Sequence, residues 1–120
     1  MHELSIAQSV VEVATRHAAG RPVRVVELRV GHLRQVVPAS LEFAWELLTE
    51  GSPLDGARLE IEVVPARVAC RDCEAESVID GFPLACGRCG ALDVEVVAGE
   101  ELLVSELELE EELAMIGDER

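Results

Sequence analysis

Apolar residues recur at helical spacing from the start of the chain: Leu4, Ala7, Val11, Ala14 and Ala18, with Ile6, Val10 and Val13 widening the stripe. Ser5 followed by Gln8 has the form of a capping box. It places the helix start near Ser5 and leaves Met1, His2 and Glu3 outside, at the positive end. Gly20 and Pro22 stop the helix. Val23 to Val30 reads as a strand, with Val26, Leu28 and Val30 on one face and Glu27 and Arg29 on the other. Gly31 breaks it. Pro38 opens a second helix to about Glu50, with Leu41, Ala44, Trp45 and Leu48 inward and Gly51 past its end. Phe43 and Trp45 both read as packing residues of that helix. Arg58 to Val64 alternates, with Leu59, Ile61 and Val63 inward and Glu60 and Glu62 outward. Leu103, Ser105, Leu107 and Leu109 alternate in the same way against Val104, Glu106, Glu108 and Glu110. The glutamates of these strands read as the solvated face of a sheet.

Between those last two strands the pattern fails. Residues 67–96 hold every cysteine and little apolar periodicity, with Pro65 at one border and Ala98-Gly99 at the other. The expectation is an α+β chain: a small three-stranded sheet with two helices, plus an inserted zinc-ribbon-like domain. Residues 1–66 form the first domain, completed by 97–120, and 67–96 form the insert. With 120 residues there is room for little more.

Cys70-Arg-Asp-Cys73 and Cys86-Gly-Arg-Cys89 flank twelve residues. Four thiolates from two tight turns close a tetrahedral zinc shell with Zn–S bonds of ~2.3 Å. Gly87 and Gly90 free the second turn's backbone, and Asp80-Gly81 between the turns is a hairpin signal. A redox Cys-x-x-Cys or a pair of disulfides is the competing reading. The first expects a strand leading into a helix, the second an oxidising compartment. A closed four-sulfur shell has no open position for water, so this zinc holds structure and performs no chemistry.

Charge narrows the functions further. Twenty-four acids against ten basic residues give −14, and all ten basic residues are arginine. A chain without lysine has no P-loop lysine and no Schiff-base lysine. No Ser/His/Asp set, Gly-rich phosphate loop or catalytic carboxylate pair appears, so an enzyme is not expected. No apolar run approaches the ~20 residues of a spanning helix, and residues 1–15 lack the basic start of a signal peptide. A cytoplasmic protein with no membrane partner is expected.

Met1-His2-Glu3 is a second constellation. A free α-amine, the amide nitrogen of residue 2 and the His2 Nδ1 form fused chelate rings, a nitrogen-rich planar set suited to Ni(II) or Cu(II). The bland alternative is that His2 is an exposed residue near a start codon. His17, late in the first helix, reads as a cap on its negative end, and His32 as an exposed loop residue.

The opening Met-His-Glu-Leu-Ser and Val-Glu-Leu-Arg-Val-Gly at 26–31 resemble the HypA/HybF family of nickel-incorporation proteins in NiFe hydrogenase maturation. So do Val-Val-Pro at 36–38, Phe43 to Gly51, Leu59 to Pro65 and the doubled Cys-x-x-Cys. The resemblance spans about residues 1–109. It implies a nickel-binding α/β domain with a zinc domain inserted before its last strand. It further implies nickel carried at Met1, His2 and Glu3, with zinc at Cys70, Cys73, Cys86 and Cys89. The implied role is a nickel metallochaperone, a monomer or homodimer, working beside a maturation GTPase and serving the hydrogenase large-subunit precursor. The alternative is a zinc-ribbon interaction adaptor with no nickel role. Two departures from the family pattern stand out: Glu74 where such ribbons commonly place glycine, and an acidic tail after Leu109.

The charge balance carries a direct test. Duplex binding rests on basic side chains displacing counterions from phosphates, so a gel shift at physiological salt should show no DNA complex.

Overall fold

The computed structural model describes residues 2–110; Met1 and residues 111–120 of the acidic tail lie outside the described residues. Its elements are α1 (Glu3–Ala18), β1 (Val23–Gly31), a short 3-10 turn (His32–Arg34), α2 (Pro38–Thr49), β2 (Arg58–Val64), β3 (Ala66–Cys70), β4 (Glu76–Ile79), β5 (Val94–Ala98) and β6 (Leu102–Leu109). They form two three-stranded sheets, ordered β2-β1-β6 and β4-β3-β5. This is the expected α+β architecture. By contacts the chain divides into two compact units. Among the described residues the first holds 2–28, 36–61 and 103–110, and the second holds 29–35 and 62–102.

In the first unit α1 packs on α2. Ile6, Ala7, Val10 and Ala14 of α1 meet a core that includes Leu41, Ala44 and Trp45 of α2. Pro38 stands at the start of α2, where its missing N–H costs nothing. The Trp45 indole gives its N–H to the Ala57 carbonyl at 2.9 Å, and the Thr49 hydroxyl gives its proton to the Trp45 carbonyl at 2.8 Å. A buried Trp with its one donor satisfied is a stable anchor. The adjacent Val25 and Val26 are both buried. Neighbouring strand residues point to opposite faces, so the central strand is covered on both sides.

Two expectations are corrected here. Helix α1 starts at Glu3, with His2 at its N-cap, and no side chain caps it; the Ser5/Gln8 capping box does not form. The competing interaction is tertiary. The Glu3 carboxylate is buried and accepts the Val37 N–H at 3.0 Å. An acid in the first turn also suits the helix dipole. Glu3 is therefore part of the packed structure and not a loose residue ahead of the helix. The second correction is Phe43, which is 62% exposed on the outer face of α2 while Trp45 fills the core. Helical spacing places a residue on a face, but a residue at the border of the apolar stripe can fall on either side.

Strand pairing follows from the side chains. Arg24 pairs with Glu108 at 3.5 Å, and the Ser105 hydroxyl bonds the Glu27 carbonyl, so β6 runs antiparallel to β1. Arg29 reaches Glu62 at 3.5 Å, and Glu27 feels Glu60, so β2 runs parallel to β1 across the α2 connection. Alternation in the flanking strands is weaker than the sequence implies: Val63 and Leu103 are exposed, and Ile61 is half-buried.

In the second unit β3 is central and antiparallel to both neighbours, with Val68 opposite Ser77 of β4 and Val96 of β5. Ala66, Val68 and Cys70 are buried. The Gly31 N–H bonds the Glu101 carbonyl at 2.7 Å, and the Leu33 N–H bonds the Gly99 carbonyl at 2.8 Å. A Cβ on Gly31 would collide with the Gly99 carbonyl, and one on Gly99 would lie 2.7 Å from Ala66 Cα. Two backbones touch there, and only glycine permits it. Asp80-Gly81 forms no two-strand hairpin; it ends β4 and leads to the second cysteine turn.

The sheet face of the first unit is acidic. Glu27 is half-buried, and its pKa is raised first by the Glu106 charge, then by burial and by Glu60. A carboxyl raised above its unfolded value contributes stability below the ordinary carboxylate range and loses it as pH rises through the folded value. Glu27→Gln should therefore raise the thermal midpoint at neutral pH. The gain should shrink to nothing in acid, as followed by calorimetry across pH.

Candidate metal centres

The two cysteine turns are local copies of one another. Cys70 ends β3, and its N–H bonds the Ala75 carbonyl while its carbonyl accepts the Glu74 N–H. Cys86 does the same with Ala91 and Gly90. In the first turn the N–H groups of Asp72 and Cys73 point at Cys70 Sγ, at 3.3 and 3.4 Å. In the second turn those of Arg88 and Cys89 point at Cys86 Sγ at the same distances. The leading cysteine of each turn is buried and the trailing one exposed. Each pair of backbone donors thus faces the less solvated sulfur, where water cannot help a negative charge.

All four sulfurs lie within 4.8 Å of one another. Cys70 Sγ is 3.6 Å from Cys89 Sγ, and Cys73 Sγ is 3.7 Å from Cys86 Sγ. A tetrahedron with Zn–S bonds of ~2.3 Å has edges of ~3.8 Å. Disulfide sulfurs would sit ~2.05 Å apart. The cluster therefore has the dimensions of a metal shell, and its donor set fits Zn(II).

Electrostatics agrees with that fit. Cys86 is lowered to about 6, first by the Cys89 N–H and then by the Arg88 N–H. Cys89 goes the other way. The Ala91 backbone favours its thiolate, but the Cys70 sulfur, burial and the other two sulfurs outweigh it and push it up to about 12. Four thiolates cannot coexist this close without a cation between them. A divalent metal supplies that charge, and metal affinity then rises as protons leave.

One supporting residue escaped the sequence reading. The Ser77 hydroxyl on β4 accepts the Gly87 N–H at 2.9 Å and so fixes the second turn against the sheet. A small polar residue within a strand near the cysteines was its one signal. His32 also gained a partner, its Nε2 giving a hydrogen to the Asp80 carbonyl at 2.6 Å. His17 stands in the last turn of α1 beside a groove shared with Val13, Val104 and Leu107.

At the other candidate centre, His2 is exposed at the N-cap of α1, and the first intrahelical bond runs from Ile6 N–H to the His2 carbonyl at 3.0 Å. N–H groups ahead of that bond have no intrahelical acceptor. Glu3 is held low, at about 2, by the α-amino group first and the Val37 N–H second.

Glu74 and Gly90 occupy equivalent places after the two turns, at φ +65° and +80°. The left-handed region costs a non-glycine residue roughly 1–2 kcal/mol. Glu74→Gly should stabilise the cysteine unit by about 1 kcal/mol and Gly90→Ala should weaken it by about as much. Resistance to a chelator, followed by zinc release, reads both.

Residues 1–109 match the family model described as "Hydrogenase/urease nickel incorporation, metallochaperone, hypA". The chain is 51% identical over 110 residues to a hydrogenase maturation factor HypA of Geotalea uraniireducens, covering 92% of this chain and all of the relative. It is 38% identical over 111 residues to the factor of the same description from Nostoc punctiforme, covering 92% and 97%. A solution structure of the Ni metallochaperone HypA from Helicobacter pylori shares the fold, with a TM-score of 0.64 at 22% identity over 91% of this chain and 97% of that one. A chain with this match along all but its tail, and with this cysteine cluster, belongs to the HypA family of nickel-incorporation metallochaperones, which carry a metal and catalyse no reaction.

Proposed function

We propose that this chain carries Ni(II) at its N-terminus and passes it to a NiFe hydrogenase during assembly, while Cys70, Cys73, Cys86 and Cys89 hold a structural zinc. On this reading residues 1–66 with 97–120 are the nickel-binding domain, and 67–96 the zinc domain. Nickel is cargo. Its ligands are the Met1 α-amine and the His2 amide and imidazole, with Glu3 adding its backbone nitrogen. The observation that carries the reading is the placement of His2 and Glu3: an exposed imidazole at a helix N-cap, ahead of the first intrahelical bond, next to a carboxylate already engaged by Val37. An engaged carboxylate favours the backbone role for Glu3. Zinc takes the closed four-sulfur cluster, and the two metals differ in donor chemistry, so each selects its own place.

A site at the chain's end suits delivery, because ligands can be handed over one at a time. The partners on this reading are a maturation GTPase and the hydrogenase large-subunit precursor, met in the cytoplasm. Among the described residues no helix is long and apolar enough to cross a membrane. The −14 charge steers the chain toward basic surfaces, so association with partners should slow as salt rises.

Nickel titration with zinc counted in parallel tests the reading. His2→Ala should lose specific nickel and keep zinc, and an N-terminal tag should do the same by converting the amine to an amide. Glu3→Gln retains an acceptor for Val37 and should cost little; Glu3→Ala should weaken nickel by about 10-fold, the usual effect of losing a ligand's support. Affinity should fall in mild acid, because the amine titrates near ~7.7–8 and imidazole near ~6.5 and both must lose protons. Undiminished nickel binding by a tagged protein would place the site elsewhere.

A further inference from the structure

Strand β2 lies at the edge of its sheet, with β1 on one side and no strand on the other among the described residues. A groove of about 550 Å³ opens there, between β2 and α2. Its strand wall is Ala57 and the consecutive β2 residues 58–61, and its helix wall is Glu42, Trp45 and Glu46. Consecutive strand residues alternate between faces, so a groove lined by four in a row meets the strand at its edge, where backbone donors and acceptors lie. The floor is apolar, from the buried Leu59 and Trp45.

The groove's charge is one-sided. Arg58 is its one cation, and Glu60 already holds that guanidinium at 2.7 Å. Glu42 and Glu46 remain, exposed and one helical turn apart, where like charges disfavour the helix. No lysine exists in the chain to answer them. An edge strand that presents apolar pockets and acidic walls is a template for strand addition, in which backbone bonds supply affinity and alternate side chains supply specificity.

We propose that the free edge of β2 and the groove beside it receive an extended, basic segment of a protein partner as a fourth strand. Its apolar side chains lie over Trp45 and Leu59, and its cationic side chains meet Glu42 and Glu46. A second copy of this chain is a poor occupant, since it brings the same acids to the same place. The inference goes beyond nickel carriage and does not depend on it.

Trp45 is the only tryptophan and there is no tyrosine, so its emission reports on the groove alone. The probe is a blocked peptide of about eight residues, alternating arginine and valine, enough to span the run 57–61. It should change Trp45 emission saturably and shift the NMR amide signals of residues 58–61. Glu42→Gln/Glu46→Gln should weaken binding by at least ~10-fold, as expected for lost charge complementarity. Glu12→Gln/Glu100→Gln, an equal charge change elsewhere, should weaken it by less than about twofold. The same peptide N-methylated at every residue, so that neither edge can pair, should fail to bind the wild-type protein. The proposal is overturned by no saturable change, by equal weakening in both double variants, or by full binding of the N-methylated peptide. Emission that shifts with protein concentration alone would assign the edge to a second copy and also overturn it. Nickel titration of the same variants should be unchanged, so failure here leaves the nickel reading standing.

Discussion

Four sulfurs held at 3.6 and 3.7 Å across the two turns set the terms for the second unit. That unit has a thin core, in which Val30, Val64, Ala66, Val68, Cys70 and Cys86 are the buried apolar residues. Three short strands and two cysteine turns are poorly held by so little apolar area, and small modules of this kind draw their stability from a metal. The backbone N–H groups aimed at Cys70 and Cys86 prepare those sulfurs for a cation, and the crowding of sulfurs around Cys89 penalises its thiolate without one. Binding free energy is then folding free energy for residues around the cluster. The glycine contact at Gly31 and Gly99 places a further demand on the same unit, since two main chains touch where no side chain fits.

The first unit is held differently. Its helices bury a continuous aliphatic core, and Trp45 supplies the one large ring within it. No metal is needed for that packing, in keeping with the proposal that nickel at the N-terminus of α1 is cargo. Glu3 connects the two ideas. Its carboxylate spans 34 positions of sequence to reach Val37, fixing the start of α1 against the start of α2. The nickel site we propose would therefore begin from a fixed helix end, beside an exposed His2.

Much of this was legible in the residues. The cysteine spacing gave the cluster because ligand geometry is a local property of two short turns. Helical and alternating periodicities gave the elements, because burial of one face imposes a period. What escaped had non-local causes. The Ser5/Gln8 pattern is a sound local signal, yet a bond from Glu3 to a residue far along the chain moved the helix start. Phe43 shares its spacing with core residues and still faces out, since periodicity fixes a face and not its cover. The strain at Glu74 was signalled by a missing glycine, but its sign came only from the backbone angle. Resemblance to a family supplied the nickel reading of Met1, His2 and Glu3, which pattern alone left open.

The central claim is that two metals are kept apart by donor chemistry: sulfur in the closed cluster, nitrogen at the chain's end. X-ray absorption at the zinc and nickel edges of one protein sample, loaded with both, measures this directly. The account predicts zinc surrounded by four sulfurs at ~2.3 Å and nickel surrounded by nitrogen and oxygen alone. Sulfur in the nickel shell, or nitrogen in the zinc shell, would contradict it.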